Sequence, residues 1–287
     1  MINVILNGNL GNNLFQYAIA KQLAVTNKTT VRLITYRYMN RHDILGRKAI
    51  KQLRAFTMEP LVYAAMIPEV IGRRLGIQWP FNKDKVHKEK SGCFYPEVLT
   101  LKDGICLDGY FQSEKYFKGI EHIIRNNLRF KKDTFGEEGA IYKEQISNLN
   151  SVGLHIRRGD YLKSPLHNVC TMRYYANSIA YMQDRLVSPH FFVFSDDLEW
   201  CYENLHNSNC SFVDIQAAKR NPIIDFQLMS LCKHNIISNS TFSWWAAWLN
   251  DNHEKVVVAP DRWFNDERKN VQALQDTIPA EWVRMGF

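Results

Sequence analysis

Residues 1–34 read MINVILNGNLGNNLFQYAIAKQLAVTNKTTVRLI, and this opening decides the fold class. Ile2 to Leu6 form a short apolar run that predicts a buried strand. Asn7 to Asn13 are rich in Gly and Asn and predict a turn. From Leu14 to Ala24 the apolar side chains Leu14, Tyr17, Ala18, Leu23 and Ala24 return at helical spacing. Residues 31–35 then read as a second strand. Strand, tight loop, helix and strand in that order open an α/β domain.

The same alternation is clearer in the second half. Strands are predicted at Val152–Ile156, Phe191–Phe194, Asn235–Ser238 and Val256–Ala259, with helices at Tyr174–Leu186, Pro222–Cys232 and Phe242–Leu249. Such alternation predicts a parallel sheet covered on both faces. Between the halves, Ile105–Tyr110 reads as a strand and Ser113–Leu128 as a helix. The polar stretch Lys131–Asn150 follows; it is expected to contain another helix and is the best domain junction. The expected organisation is therefore an α/β domain over 1–150 and a second over 151–287.

A chain of 287 residues fits one large domain or two ordinary ones. Its 46% hydrophobic content is enough for two cores, which excludes a disordered chain. No apolar run approaches the ~18 residues of a membrane span. The first strand meets Asn and Gly too early for a signal-peptide core, so a cytoplasmic location is expected. The six cysteines have neither C-x-x-C nor zinc-site spacing and read as reduced thiols in or near the core.

The net charge of +7 is uneven: residues 37–90 hold 12 Lys/Arg against 5 Asp/Glu, and the remaining residues balance. This segment, interrupted by Pro60 and Pro68 and carrying Arg73 and Arg74, reads either as helices packed on the first domain or as a basic amphipathic pair on an anionic membrane surface.

Four loops follow predicted strands, at the edge where open α/β sheets bind ligands. Gly8-Asn9-Leu10-Gly11-Asn12-Asn13 offers close backbone approach and free helix N–H groups, but it is neither G-x-G-x-x-G nor a P-loop. His155-Ile156-Arg157-Arg158-Gly159-Asp160-Tyr161 places adjacent arginines on opposite faces. One guanidinium can clamp two phosphate oxygens while the other pairs with Asp160 or holds the loop. Phe194-Ser195-Asp196-Asp197 can cap a helix, bind a sugar or base edge, or hold a metal. Ser238-Asn239-Ser240-Thr241-Phe242-Ser243 enters a helix through small polar groups suited to a pyrophosphate, and the tryptophans after it read as core. Together these loops predict a phosphate ligand held by Arg157, by small polar groups near residue 240 and by a helix N-terminus.

The chain also resembles the bacterial α-1,2-fucosyltransferases of glycosyltransferase family 11. The resemblance rests on GNLGNNLFQYA (8–18), LDGYFQSEKYF (107–117), HIRRGDY (155–161), FSDDLEWCYENL (194–205), DFQLMSLCKHNIISNSTFSWWAAWLN (225–250) and APDRWF (259–264). It implies a GT-B-like architecture of two Rossmann-type domains facing a cleft, with GDP-fucose held mainly by the second. It further implies inverting transfer, without a metal or other cofactor, onto O2 of a terminal galactose. By this resemblance Arg157 binds the β-phosphate, His155 orients the nucleotide or its loop, and Asp225 reads the guanine edge. Ser240, Thr241 and Ser243 hold the pyrophosphate, with Gly8, Gly11 and Asn12 closing from the first domain.

Arg158, Asp160, Asp196 and Asn239 complete the candidate donor set. Asp108 and Glu114 are the candidate general bases on the acceptor side. The family loop is usually Gly-Gly-Leu-Gly-Asn-Gln, whereas here Asn9 and Asn13 stand at its second and sixth positions. Asn at position 9 is expected to tolerate a left-handed backbone. The expected acceptor is a galactose-terminated glycan, free or lipid-linked, and no nucleic acid is expected. Two rivals are a metal-dependent glycosyltransferase using Asp196 and Asp197, and a nucleic-acid binder using residues 37–90.

Overall fold

The computed structural model describes residues 1–35, 47–58, 62–64, 85–131, 135–205, 209–215 and 221–286. Arg73 and Arg74, and with them most of the basic segment 37–90, lie outside the described residues. The chain divides into two compact units, Met1–Lys131 and Lys132–Phe287. The division falls at the start of the expected junction and not at residue 150. The helix Gly136–Asn148 belongs to the second unit, where the Tyr142 hydroxyl donates to the Phe212 carbonyl at 2.9 Å.

The first unit carries a five-stranded parallel sheet. Its strands are β1 (Ile2–Ile5), β2 (Val31–Ile34), β3 (Val62–Ala64), β4 (Val86–Lys88) and β5 (Cys106–Asp108), in the spatial order β3-β2-β1-β5-β4. Helix α1 (Leu10–Thr26) follows β1, and its apolar side chains Leu14, Tyr17, Ala18 and Leu23 are all buried. The helix begins four residues earlier than the apolar pattern suggests, so Gly11, Asn12 and Asn13 form its first turn and the connecting turn is only Asn7–Asn9.

The left-handed residue of that turn is Gly8, with φ +78; Asn9 is extended, with φ −90 and ψ −176. The Asn9 substitution therefore makes no demand on backbone handedness, contrary to the expectation. Nor does its side chain cap the helix. Asn13 is buried and donates to the Asn7 carbonyl at 3.2 Å, which ties the turn to the helix. Two short helices, α2 (Arg47–Leu53) and α3 (Glu121–Asn127), complete the unit. The helix predicted over 113–128 is split: 3-10 turns at Glu114–Tyr116 and Lys118–Ile120 precede α3, because Phe117 leaves helical geometry at φ −135.

The second unit carries a six-stranded parallel sheet. Its strands are β6 (Asn150–Ile156), β7 (Pro189–Ser195), β8 (Cys210–Phe212), β9 (His234–Ile236), β10 (Val257–Pro260) and β11 (Val283–Met285), in the order β11-β10-β9-β6-β7-β8. The helices are α4 (Gly136–Asn148), α5 (Met172–Arg185), α6 (Leu198–Asn204), α7 (Pro222–Leu231), α8 (Thr241–Leu249) and α9 (Glu267–Asp276).

Numbered within the unit, this is the Rossmann order 3-2-1-4-5-6. Val152, Leu154 and Ile156 of β6 face Tyr174, Tyr175, Ile179 and Met182 of α5. The alternate residues Gly153 and His155 point to the opposite face. Trp244, Trp245, Trp248 and Trp282 pack into one another, and the Trp244 indole donates to the Thr277 carbonyl at 2.7 Å, so these rings build the core as expected.

All six cysteines are free thiols, three buried and three half-buried. Among the described residues no helix is long and apolar enough to cross a membrane.

Candidate functional site

In the second sheet β6 and β9 are neighbours whose connections run in opposite directions, so a crevice opens at their C-terminal ends. His155 and Arg157 stand at the end of β6, and Ser238, Asn239 and Ser240 follow β9 into α8. The His155 Nδ1 and Ser238 Oγ atoms are 2.9 Å apart, and the His155 ring lies against Phe242, so the imidazole is fixed from both sides. Ser240 is the N-cap of α8 and accepts from the Phe242 N–H at 3.4 Å. Thr241 opens the helix half-exposed. Ser243 is fully buried and donates to the Ser240 carbonyl at 3.3 Å, so it braces the cap.

The two arginines diverge as their alternation requires: Arg158 holds the loop, and it is Arg157 that takes Asp160. Arg157 binds two carboxylates at once: Nη2 donates to Asp160 at 2.5 Å and Nη1 lies 2.8 Å from Asp196. Its guanidinium also covers the Tyr161 ring, 5.4 Å from the centroid. Arg158 turns to Asp197, with Nε donating to Oδ2 at 3.0 Å, and stacks 3.8 Å from the centroid of Trp200. Its backbone N–H donates to Asp196 at 2.9 Å. Arg158 thus braces the loop, and its side chain is held against the protein.

Asp197 caps α6 through the Trp200 N–H at 3.2 Å. Asp196 is pinned by Arg157, by the Arg158 N–H, and by contact with Gly159, where an added Cβ would come within 2.4 Å of its Oδ2. Its side chain is 26% exposed, against 63% for Asp160. Among the described residues no group of three His, Cys, Asp or Glu side chains is arranged to hold a metal ion.

Tyr161 joins the loops. Its hydroxyl donates to the Asn239 carbonyl at 3.4 Å, and burial pushes its pKa up to about 12, so it stays a neutral donor. The Asn239 side chain is enclosed: its amide donates to the His167 and Trp263 carbonyls at 3.0 and 2.9 Å. It therefore fastens the 161–170 loop and the β10 loop to the crevice. Asp225 is buried in the first turn of α7. Sequence reasoning missed Ser238 and Tyr161 as site residues, although both lie beside quoted motif positions; their contacts come from a second loop in each case.

The predicted residues of the first unit gather at its own sheet edge. Gly8 leaves no room for a side chain, since a Cβ would lie 2.1 Å from the Asn12 amide nitrogen. Asn12 Oδ1 accepts from Gln112 at 2.9 Å. Gly11 is buried in the first turn of α1. Asp108 ends β5 half-buried, and Glu114 is half-buried in its 3-10 turn. Gln16 binds the two strand ends together, accepting from the Asn7 N–H at 3.1 Å and donating to the Gly109 carbonyl at 2.9 Å. Glu89, just after β4, accepts from the Tyr110 and Phe111 N–H groups at 2.6 and 2.9 Å, and burial raises its carboxyl pKa.

Residues 102–286 match the profile of glycosyl transferase family 11. The chain belongs to that family. It is 32% identical over 294 residues to an alpha-1,2-colitosyltransferase of Escherichia coli, covering 98% of this chain and 97% of that protein. It is likewise 32% identical over 298 residues to the O-antigen biosynthesis glycosyltransferase WbnK of Escherichia coli, covering 95% and 98%. To galactoside alpha-(1,2)-fucosyltransferase 1 of Homo sapiens it is 27% identical, covering 85% of this chain and 64% of that one. Among solved structures, NodZ alpha-1,6-fucosyltransferase soaked with GDP-fucose superposes with a TM-score of 0.54 at 14% identity, covering 86% and 92%. That likeness bears on the fold, which is GT-B. As a family 11 member the chain is a glycosyltransferase.

Proposed function

We propose that this family 11 enzyme transfers L-fucose from GDP-fucose, with inversion and without a metal, to O2 of a terminal galactose on a bacterial surface glycan. One observation carries the reading: the Arg157 fork stands at the Rossmann crevice beside the polar N-terminus of α8. Fork and helix end together suit a diphosphate. The acceptor hydroxyl attacks C1 of fucose opposite to GDP, the C1–O bond to the β-phosphate breaks, and Arg157 meets the charge that develops on the departing oxygens. Asp160 gives up its place on Arg157 to the phosphate, while Asp196 keeps the fork aimed. His155 and Ser240 shape the nucleotide side, and Asp225 reads the guanine edge. The acceptor proton passes to Asp108, at the end of β5, or to Glu114, in the 3-10 turn that follows.

Similarity to the colitosyltransferase supports a second donor reading. Colitose is fucose without its 3-hydroxyl, so GDP-colitose would fit the same phosphate machinery. A site that hydrogen-bonds the 3-hydroxyl would reject the deoxy sugar by about 10⁴-fold, and an apolar one would not. Transfer assays with GDP-fucose and GDP-colitose on galactosides, with the product linkage read by NMR, decide between them. No transfer from either donor would end both readings. Full turnover in EDTA is expected; loss restored by Mg²⁺ or Mn²⁺ would favour the metal-dependent rival.

The positive charge of residues 37–90 suits an anionic membrane or a diphosphate-linked acceptor. Co-sedimentation with phosphatidylglycerol vesicles should weaken on neutralising Arg73 and Arg74, and unchanged binding would remove them from that role.

A further inference from the structure

Tyr110 is singled out by how its backbone is held. It follows Gly109 just beyond the end of β5, beside the loop that leaves the neighbouring strand β1. Its successor Phe111 is a non-glycine residue at φ +52, a left-handed conformation that survives only when the surroundings over-determine it. They do so here. Glu89 accepts both consecutive N–H groups, of Tyr110 and Phe111, at 2.6 and 2.9 Å. Gly109 has no space for a side chain because a Cβ would lie 2.4 Å from that of Glu89. The Phe111 ring is fully buried and meets Tyr116 edge-on at 5.6 Å.

The result is a reversal of neighbours. Phe111 anchors the loop inside, and Tyr110 is turned outward with 40% of its surface exposed. Exposed does not mean loose: the Asn7 amide donates to the Tyr110 hydroxyl at 3.3 Å, which tethers the ring to the Gly8 turn. The Asn7 amide thus stands at the polar end of the ring, and in the same loop Gln112 donates to the Asn12 side-chain oxygen at 2.9 Å. A fixed, exposed aromatic face with an amide at its polar end matches a hexopyranose, which is apolar on one face and hydroxylated at its rim. A strained residue kept at a sheet edge also indicates use beyond folding.

We propose that Tyr110 is the platform on which the acceptor sugar stacks, and that Glu89 is the positioning residue that presents it. This deepens the proposed function and rests on it for the identity of the sugar. Galactose places its C3, C4 and C5 hydrogens on the ring and leaves O2 free at the edge.

The test uses the full chain with methyl β-D-galactoside as probe, read by saturation-transfer NMR, alongside acceptor and donor kinetics. In the wild type, saturation should be strongest at H3, H4 and H5. Tyr110→Ala should lose that signal and raise the acceptor KM about tenfold, the size of one good aromatic contact. Tyr110→Phe keeps the ring and should retain most of the signal. Glu89→Gln, nearly isosteric, should raise the acceptor KM in the same direction while the Kd for GDP stays within about twofold.

No galactoside signal in the wild type, or an acceptor KM for Tyr110→Ala within about twofold of wild type, overturns the platform. Equal losses of GDP and galactoside binding in Glu89→Gln overturn the positioning role. Should Tyr110→Ala fail to fold by circular dichroism, Tyr110→Leu replaces it and is judged by the same acceptor KM. The two proposals fail separately: a wild-type galactoside signal that Tyr110→Ala abolishes, in a chain that transfers no sugar from GDP-fucose, spares the platform, and normal transfer with an indifferent Tyr110 spares the function.

Discussion

Arg157 and Asp196, delivered by the neighbouring parallel strands β6 and β7, form a 2.8 Å ion pair at the mouth of the Rossmann crevice. The same carboxylate accepts the Arg158 N–H, so one aspartate aims one arginine and ties down the loop of the next. A fork held this way needs little reorganisation when charge develops on a leaving phosphate.

Removal of that fork should fall on the chemical step. Arg157→Ala is expected to lower kcat with GDP-fucose by about 10²–10³, and Arg157→Lys to recover only part of it, because an ammonium cannot grip two oxygens. Steady-state turnover checks this; near-normal kcat in Arg157→Ala would remove it from the mechanism.

The two carboxylates on Arg157 should behave differently. Asp160 is 63% exposed and exchangeable, while Asp196 is 26% exposed and bound on both sides. Asp160→Asn should leave GDP affinity equal or raise it a few-fold, whereas Asp196→Asn should weaken it by about tenfold. Calorimetric titration of GDP measures both. Equal effects from the two variants would contradict an exchange at Asp160.

Gly159 carries a steric prediction. A methyl group there would come within 2.4 Å of Asp196 Oδ2 and push the carboxylate off Arg157. Because the displaced atom is a side-chain end near the surface, Gly159→Ala should destabilise by only about 1 kcal/mol, yet it should weaken GDP binding nearly as much as Asp196→Asn. Thermal melting and GDP titration on one preparation separate the two effects.

His234 makes stability depend on pH. Its Nδ1 accepts the Val256 N–H at 3.0 Å, a bond that a doubly protonated ring cannot keep. Burial first, and then Lys233, hold its pKa below the ordinary 6.5, against a smaller pull from Glu254. The unfolded chain therefore binds the proton first as pH falls. The contribution is complete above 6.5 and declines as pH falls below that value toward the lowered native pKa. The melting temperature should drop as pH falls from about 6.5 to about 5, and less steeply in His234→Gln. Identical slopes in the two proteins would exclude His234.

Much of this architecture is legible along the chain. The strands at 2–5, 31–34, 150–156 and 189–195 and the helices α5, α7 and α8 follow from apolar runs and their spacing, because each is buried on at least one face. The elements missed are the polar helix α9, which buries little beyond Ala273 and Asp276, and several short, marginal pieces. β11 is three residues at a sheet edge, stabilised by its pairing with β10 and not by its own pattern. Helix α6 is seven residues, about two turns, and its Asp197 cap was readable as a cap while its length was not.

The domain boundary shifted for a related reason. α4 lies in a polar stretch that reads as a junction, and its packing on α7 and β6, together with the Tyr142 bond to β8, assigns it to the second unit. At the site, residue types at strand ends were legible but pairings were not. That Arg157 takes Asp160 while Arg158 takes Asp197 depends on which strand lies beside β6. Glu89 gave no signal at all, since its role exists only once β4 pairs with β5.

Two guanidinium groups at the crevice stand among three carboxylates, those of Asp160, Asp196 and Asp197. The pocket mouth is thus slightly electronegative before any nucleotide arrives, and a free anion gains nothing by drifting toward it. Entry becomes an ion exchange in which only a ligand with further handholds can evict Asp160, so inorganic phosphate and simple salts should be poor inhibitors. For the proposed GDP-sugar donor, the nucleoside end would supply those handholds.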